Sequence, residues 1–164
     1  MDEAAVREKY ALLTRRLIAG NISVTTMESC TSGQIASLIT DTEGASAILK
    51  GAFITYSNEA KLRQGVSPEV LERCGVYSPE TAAEMAETCR RTYGADIGIG
   101  VTGSFGNADP NNADSVPGAA YFALATAAGT ETYACSIPAQ PSRLAYKLYI
   151  AGVIADRLLA LLSA

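Results

Sequence analysis

The stretch Ile22-Ser23-Val24-Thr25-Thr26-Met27-Glu28-Ser29-Cys30-Thr31-Ser32-Gly33 decides how this chain is read. Its first half is rich in β-branched residues and predicts a β-strand. It then turns into small hydroxyl- and thiol-bearing residues, and a helical pattern runs from Gln34 to Thr40. In an open α/β sheet the rim beyond such a strand is where ligands sit, because the first N–H groups of the next helix are unpaired and carry partial positive charge. Ser29, Cys30, Thr31 and Ser32 all lie on that rim. Capping a helix takes one hydroxyl; this turn offers three and a thiol, so a functional turn is expected.

Upstream, Val6, Tyr10, Leu13, Leu17 and Ile18 recur at helical spacing from Asp2 to Ala19, and Gly20-Asn21 is a helix stop. The helix after Gly33 carries Ile35, Ala36, Leu38 and Ile39 and ends near Asp41. Gly51 to Tyr56 predicts a second strand, and Ser57-Asn58-Glu59-Ala60-Lys61 feeds from it into a short helix. Ser67-Pro68-Glu69 and Ser78-Pro79-Glu80 each read as a Ser N-cap, a Pro in the first turn and an acidic residue beside it. They open helices reaching about Cys74 and about Tyr93. Ala95 to Gly103 predicts a central strand in which Gly98 and Gly100 allow close backbone approach. Ser104 to Pro117 is a polar loop of a length that usually carries function. Gly118 to Thr126 and Thr130 to Ile137 form a hairpin around Ala127-Ala128-Gly129, and Pro141 to Leu162 closes the chain as a helix. Helices between the early strands imply parallel pairing, and the hairpin adds antiparallel pairing. The expected fold is α/β, a three-layer α/β/α sandwich with a mixed, mostly parallel sheet of about five strands, formed by residues 1–164 as one domain.

The composition fits that plan, with 48% hydrophobic and 18% charged residues among 164. A net charge of −4 with dispersed Lys and Arg argues against a nucleic-acid or anionic-membrane surface as the main partner. No apolar run approaches a membrane span and no basic start precedes an apolar region, so a cytoplasmic location is expected. Cys30, Cys74, Cys89 and Cys135 make no CxxC pair and no metal-ligand spacing; they are expected as reduced thiols, three of them buried. Histidine is absent. A Ser-His-Asp triad, a Cys-His dyad and a typical zinc site are thereby excluded, and a base near neutral pH must be a tuned Lys, Tyr, Cys or carboxylate.

Three loops lie just beyond strands and can meet at one crevice: Glu28 to Gly33, Tyr56 to Lys61, and Thr102 onward. Without His, a desolvated Lys61 with a lowered pKa is the leading activator of Ser29, and Tyr56 could relay the proton. The helix after Ser29 would supply backbone donors for an oxyanion. Against this stand a solvated Lys61 on a short helix and Cys30 as a rival nucleophile, its thiol acidified by the helix N-terminus.

Thr25-Thr26-Met27-Glu28-Ser29-Cys30-Thr31-Ser32-Gly33, Ile39-Thr40-Asp41, Gly44-Ala45-Ser46-Ala47 and Thr55-Tyr56-Ser57-Asn58-Glu59-Ala60-Lys61 resemble the CinA C-terminal domain family, the competence/damage-inducible proteins, whose stand-alone members include nicotinamide-nucleotide amidohydrolases. Val76-Tyr77-Ser78, Val101-Thr102-Gly103 and Pro117-Gly118 fall in the same order. The resemblance implies a metal-independent, cofactor-free deamidase that converts nicotinamide mononucleotide to nicotinate mononucleotide and ammonia. By the same resemblance Ser29 is the nucleophile, Lys61 the base and Tyr56 the assisting tyrosine. Arg143 is implied to bind the substrate phosphate. Thr31, Gly33, Ser46, Asn58, Thr102 and Gly103 are implied as further substrate contacts. The partner expected is a small nucleotide, with no nucleic acid or membrane, and a homo-oligomer is expected from the resemblance alone. The alternatives are an inactive nucleotide-binding module of the family, an amidohydrolase of another nucleotide amide, and a structural domain acting through a partner. The sequence departs from the family pattern at Ser32, where a Gly is usual, and in Gly103-Ser104-Phe105-Gly106-Asn107-Ala108-Asp109-Pro110-Asn111-Asn112, which replaces a Gly-Ile-Ala-Gly-Pro run.

Overall fold

The computed structural model describes all 164 residues. Its elements run α1 (Glu3–Gly20), β1 (Val24–Glu28), α2 (Gln34–Thr40), a single 3₁₀ turn (Ala45–Ala47), β2 (Phe53–Ile54), α3 (Asn58–Arg63), α4 (Pro68–Cys74), α5 (Pro79–Tyr93), β3 (Ile97–Gly103), β4 (Ala119–Thr126), β5 (Gly129–Ser136) and α6 (Arg143–Leu161). The five strands form one sheet in the order β2-β1-β3-β4-β5. β1 pairs in parallel with both β2 and β3, and the β4–β5 hairpin continues the sheet in antiparallel fashion. The expected three-layer α/β architecture is therefore present, as a mixed sheet.

The helices divide between the two faces. Val6, Tyr10, Leu13 and Leu17 of α1, Ile35, Leu38 and Ile39 of α2, and Ile150, Ile154 and Leu158 of α6 form the larger core with Val24, Ile97, Ile99 and Val101. On the other face α5 lays Ala82 and Ala86 against Ala123 and Ala125, and Met85 and Cys89 against Met27. β1 and β3 are buried along their whole length because both faces are covered.

Gly98 and Gly100 set how closely α5 sits on the sheet. A Cβ at Gly98 would collide with the Ala86 carbonyl oxygen, and one at Gly100 with that of Ala82. The alternation of Ile and Gly in β3 is thus one apolar face and one face stripped bare to receive a helix.

Of the two expected Ser N-caps, Ser78 forms and Ser67 does not. Ser57, Ser78 and Ser142 accept from the N–H groups of Ala60, Thr81 and Ala145, and Asp2 does the same for Ala5. Ser67, expected to cap α4, instead donates its hydroxyl proton to Glu69, which lies within reach in the first turn. β2 is shorter than the expected Gly51 to Tyr56, because the Gly51 carbonyl is taken by the Thr25 hydroxyl at 2.7 Å rather than by the ladder. All four cysteines are free thiols; Cys30 and Cys89 are buried, Cys135 is half-buried and Cys74 is exposed, so two rather than three are buried. No helix is long and apolar enough to cross a membrane.

Gly100→Ala is expected to destabilise the protein by about 3 kcal/mol, since the Ala82 carbonyl belongs to helix backbone and cannot move aside alone. Thermal or urea unfolding checks this; an unchanged midpoint would mean that α5 does not need the bare face.

Candidate active site

β1 ends on Glu28, and the buried carboxylate of that residue organises the turn into α2. It accepts hydrogen bonds from the backbone N–H groups of Gly33 (3.0 Å), Ile35 (3.2 Å) and Ala36 (2.9 Å) and from the Thr26 hydroxyl (3.0 Å). The charge sits at the positive end of α2 and fills its orphan donors, as an N-cap would. No rim hydroxyl caps α2: its N-cap is Gly33, at φ +91°. Ser32 also adopts a positive φ, +53°, and its side chain is exposed. The expectation that the start of α2 supplies an oxyanion hole is overturned, because Glu28 already holds those N–H groups.

With the turn fixed in this way, Ser29 is the first residue beyond the strand. Its N–H donates to the Val101 carbonyl (3.0 Å), and the N–H of Thr55 donates to the Glu28 carbonyl (2.9 Å), so β3 and the end of β2 clamp the serine from both sides. Lys61 reaches it from α3. The Lys61 side chain is fully buried, and its Nζ donates to Ser29 Oγ at 3.0 Å and to the Thr55 carbonyl at 2.8 Å. Burial lowers its pKa to about 8, with Cys30 and Asp109 pulling weakly the other way. Lys61 is therefore no solvated surface lysine. Burial, reinforced by the Glu28 charge, pushes the Cys30 thiol up to about 12, which keeps it protonated and removes it as a nucleophile.

Ser29 and Cys30 open into a cavity of about 560 Å³. All three expected loops contribute to it: Tyr56, Asn58 and Glu59 from the second, and Gly103, Phe105, Asn107, Asp109 and Asn112 from the third. The start of α6 adds Arg143. Its guanidinium donates to Tyr56 Oη and to Asn107 Oδ1, each at 3.4 Å, and lies 5.6 Å from the centre of the Phe105 ring. Tyr56 is 61% exposed and makes no hydrogen bond to Ser29 or Lys61.

Other expected contacts fall outside this cavity, and Ser32 does not line it either. Ser46 is exposed on the 3₁₀ turn after α2 and is absent from the cavity wall. Thr102 is buried with its hydroxyl donated to the Val76 carbonyl at 2.9 Å, and Thr31 is buried with no partner for its hydroxyl. Gly33 gives its N–H to Glu28 rather than to a ligand.

Sequence reasoning did not single out Tyr77, Asp109 and Asn112, which also line the cavity. Tyr77 Oη–H donates to Asp109 Oδ2 at 2.6 Å, Asn112 Nδ2 donates to the same oxygen at 2.6 Å, and Asn58 Nδ2 donates to Asn112 Oδ1 at 2.8 Å. This chain of bonds ties the 104–117 loop to the first residue of α3, the helix that carries Lys61. The polarity of the loop was the available signal; its partners lay too far away in sequence to be read.

The CinA C-terminal domain profile matches residues 7–152, and the chain belongs to that family. A competence-damage inducible protein of Acetivibrio thermocellus is 44% identical over 118 residues, and a CinA-like protein of Chloroherpeton thalassium 48% identical over 86. Those matches cover 71% and 52% of this chain but only 28% and 20% of the relatives, so the chain spans a minor part of their length. Solved structures match over nearly their whole length. The competence/damage inducible protein CihA of Agrobacterium tumefaciens has a TM-score of 0.86 at 27% identity, covering 97% of this chain and 96% of that one. A competence or damage-inducible protein of Enterobacter asburiae has a TM-score of 0.86 at 28% identity, with 96% and 98% covered.

Glu28→Gln places an amide NH₂ among backbone donors and is expected to lower stability by about 2 to 4 kcal/mol. A melting curve without such a fall would show that the carboxylate does not hold the turn.

Proposed function

We propose that this chain is a serine amidohydrolase that hydrolyses the carboxamide of nicotinamide mononucleotide, releasing ammonia and leaving nicotinate mononucleotide. The observation behind this reading is the 3.0 Å contact between Lys61 Nζ and Ser29 Oγ at a buried site opening into a nucleotide-sized cavity. Neutral Lys61 takes the Ser29 proton as Oγ attacks the amide carbon. The tetrahedral intermediate collapses with cleavage of the C–N bond, and the proton passes to the departing nitrogen, giving ammonia and an acyl-serine. Water, deprotonated by the same lysine, then adds to the ester, and the carboxylate leaves as Ser29 regains its proton. The backbone N–H groups of Cys30 and Thr31 donate to no backbone carbonyl and, directly after the nucleophile in the chain, are the donors assigned to the oxyanion.

Arg143 is assigned to the phosphate. It forms no ion pair and is an exposed residue that lines the cavity. Because Arg143 donates to Tyr56 Oη, the phenol keeps its own proton free for the leaving nitrogen, which supports the assisting role of Tyr56.

Ammonia release from nicotinamide mononucleotide tests the reading, with Ser29→Ala as the control. Turnover is expected from the native chain and none above background from the variant; binding without turnover would instead make the chain a nucleotide-binding module. The rate is expected to rise through pH 8 and level off above it, since only the deprotonated lysine can accept the serine proton. A profile that falls over that interval would remove Lys61 as the base. Lys61→Met is expected to lower kcat by about 10²- to 10⁴-fold while leaving the melting temperature equal or higher, because it removes a desolvated amine.

A further inference from the structure

The cavity is bipolar. Arg143 and Asp109 both line it and both lack an ion-pair partner, whereas the remaining lining carboxylate, Glu59, is paired with Arg63 at 2.8 Å. Asp109 is built to remain ionised: Tyr77 Oη and Asn112 Nδ2 donate to its Oδ2, and the Asn111 N–H donates to Oδ1 at 2.8 Å. These bonds hold its pKa below the usual carboxylate value, with Tyr77 the largest cause. Oδ1 still has room to accept. Lys61 makes no hydrogen bond or ion pair with this carboxylate and acts on it only weakly through space, because its Nζ is directed at Ser29 and the Thr55 carbonyl.

A ligand that fills the cavity strips water from Asp109, and an ionised carboxylate tolerates that only against a cation or strong donors. We infer that Asp109, held by Tyr77 and Asn112, is a cation-selecting subsite, so that the cavity takes an amide borne on a positively charged ring with the anionic end of the ligand at Arg143. This rests on the amidohydrolase reading and adds the rule by which the site rejects neutral amides of the same shape. Discrimination comes from the Asp109 charge, whereas Arg143 acts equally on any ligand with the same anion.

The test compares nicotinamide mononucleotide with its reduced dihydropyridine form, which has the same amide, sugar and phosphate but an uncharged ring. Binding of each to the Ser29→Ala protein is measured by calorimetry. The charged ring is expected to bind about tenfold tighter. Asp109→Asn should bring the two within about twofold, and Tyr77→Phe should keep the preference because the carboxylate survives. The ligand comparison on the Ser29→Ala protein stands whether or not the Asp109 variant folds. Equal binding of the two ligands, or a preference that survives Asp109→Asn, overturns the subsite; if ammonia release is intact, the amidohydrolase reading stands without it. Failure of both ligands to bind overturns the two together.

Discussion

A single buried carboxylate, that of Glu28, makes this site possible. Three backbone donors and a hydroxyl converge on it at the start of α2, so the strand can stop abruptly, the helix can begin a few residues later, and the intervening turn needs no side-chain cap of its own. Ser29 is thereby left free of any capping duty. The same arrangement withdraws the N-terminus of α2 from anion binding and leaves Arg143 as the cation among the residues that line the cavity. The clamp from Val101 and Thr55 then fixes Ser29 against the sheet rather than on a mobile loop.

Lys61 completes the arrangement by being where a lysine is least comfortable. It is fully buried, with a backbone carbonyl and the serine as its only hydrogen-bond partners. An ion pair would hold it charged and useless as a base; burial does the opposite. In a chain without histidine, desolvation of a lysine is one route to a base that works near neutral pH. The Cys30 thiol next to Ser29 is shifted the other way by the same burial, so one low-dielectric environment keeps the thiol protonated and makes the lysine easier to deprotonate.

Most of the fold was legible in the sequence. The β-branched run before Ser29, the Ile-Gly alternation of β3 and the Ser-Pro-Glu openings of α4 and α5 each have a local physical cause, and each appears where expected. The Ser29–Lys61 pairing was also accessible, through the absence of histidine and through the TYSNEAK segment. What stayed hidden depends on contacts between distant residues. Glu28 sat at the end of the β-branched run in plain view, but its four donors converge only once the turn has closed. Ser46 and Thr102 were expected as substrate contacts, yet one lies on a separate turn and the other gives its hydroxyl to the Val76 carbonyl. Asp109 meets Tyr77, 32 residues away, only because the 104–117 loop folds back over the crevice.

The protonation state of Lys61 decides whether Ser29 can be activated, and it can be read without any substrate. Titration of the Lys61 side-chain resonance by NMR on selectively labelled protein is the most direct measurement. A midpoint of about 8 is the expected result, and a midpoint in the ordinary lysine range near about 10.4 would contradict the claim that this buried amine activates Ser29.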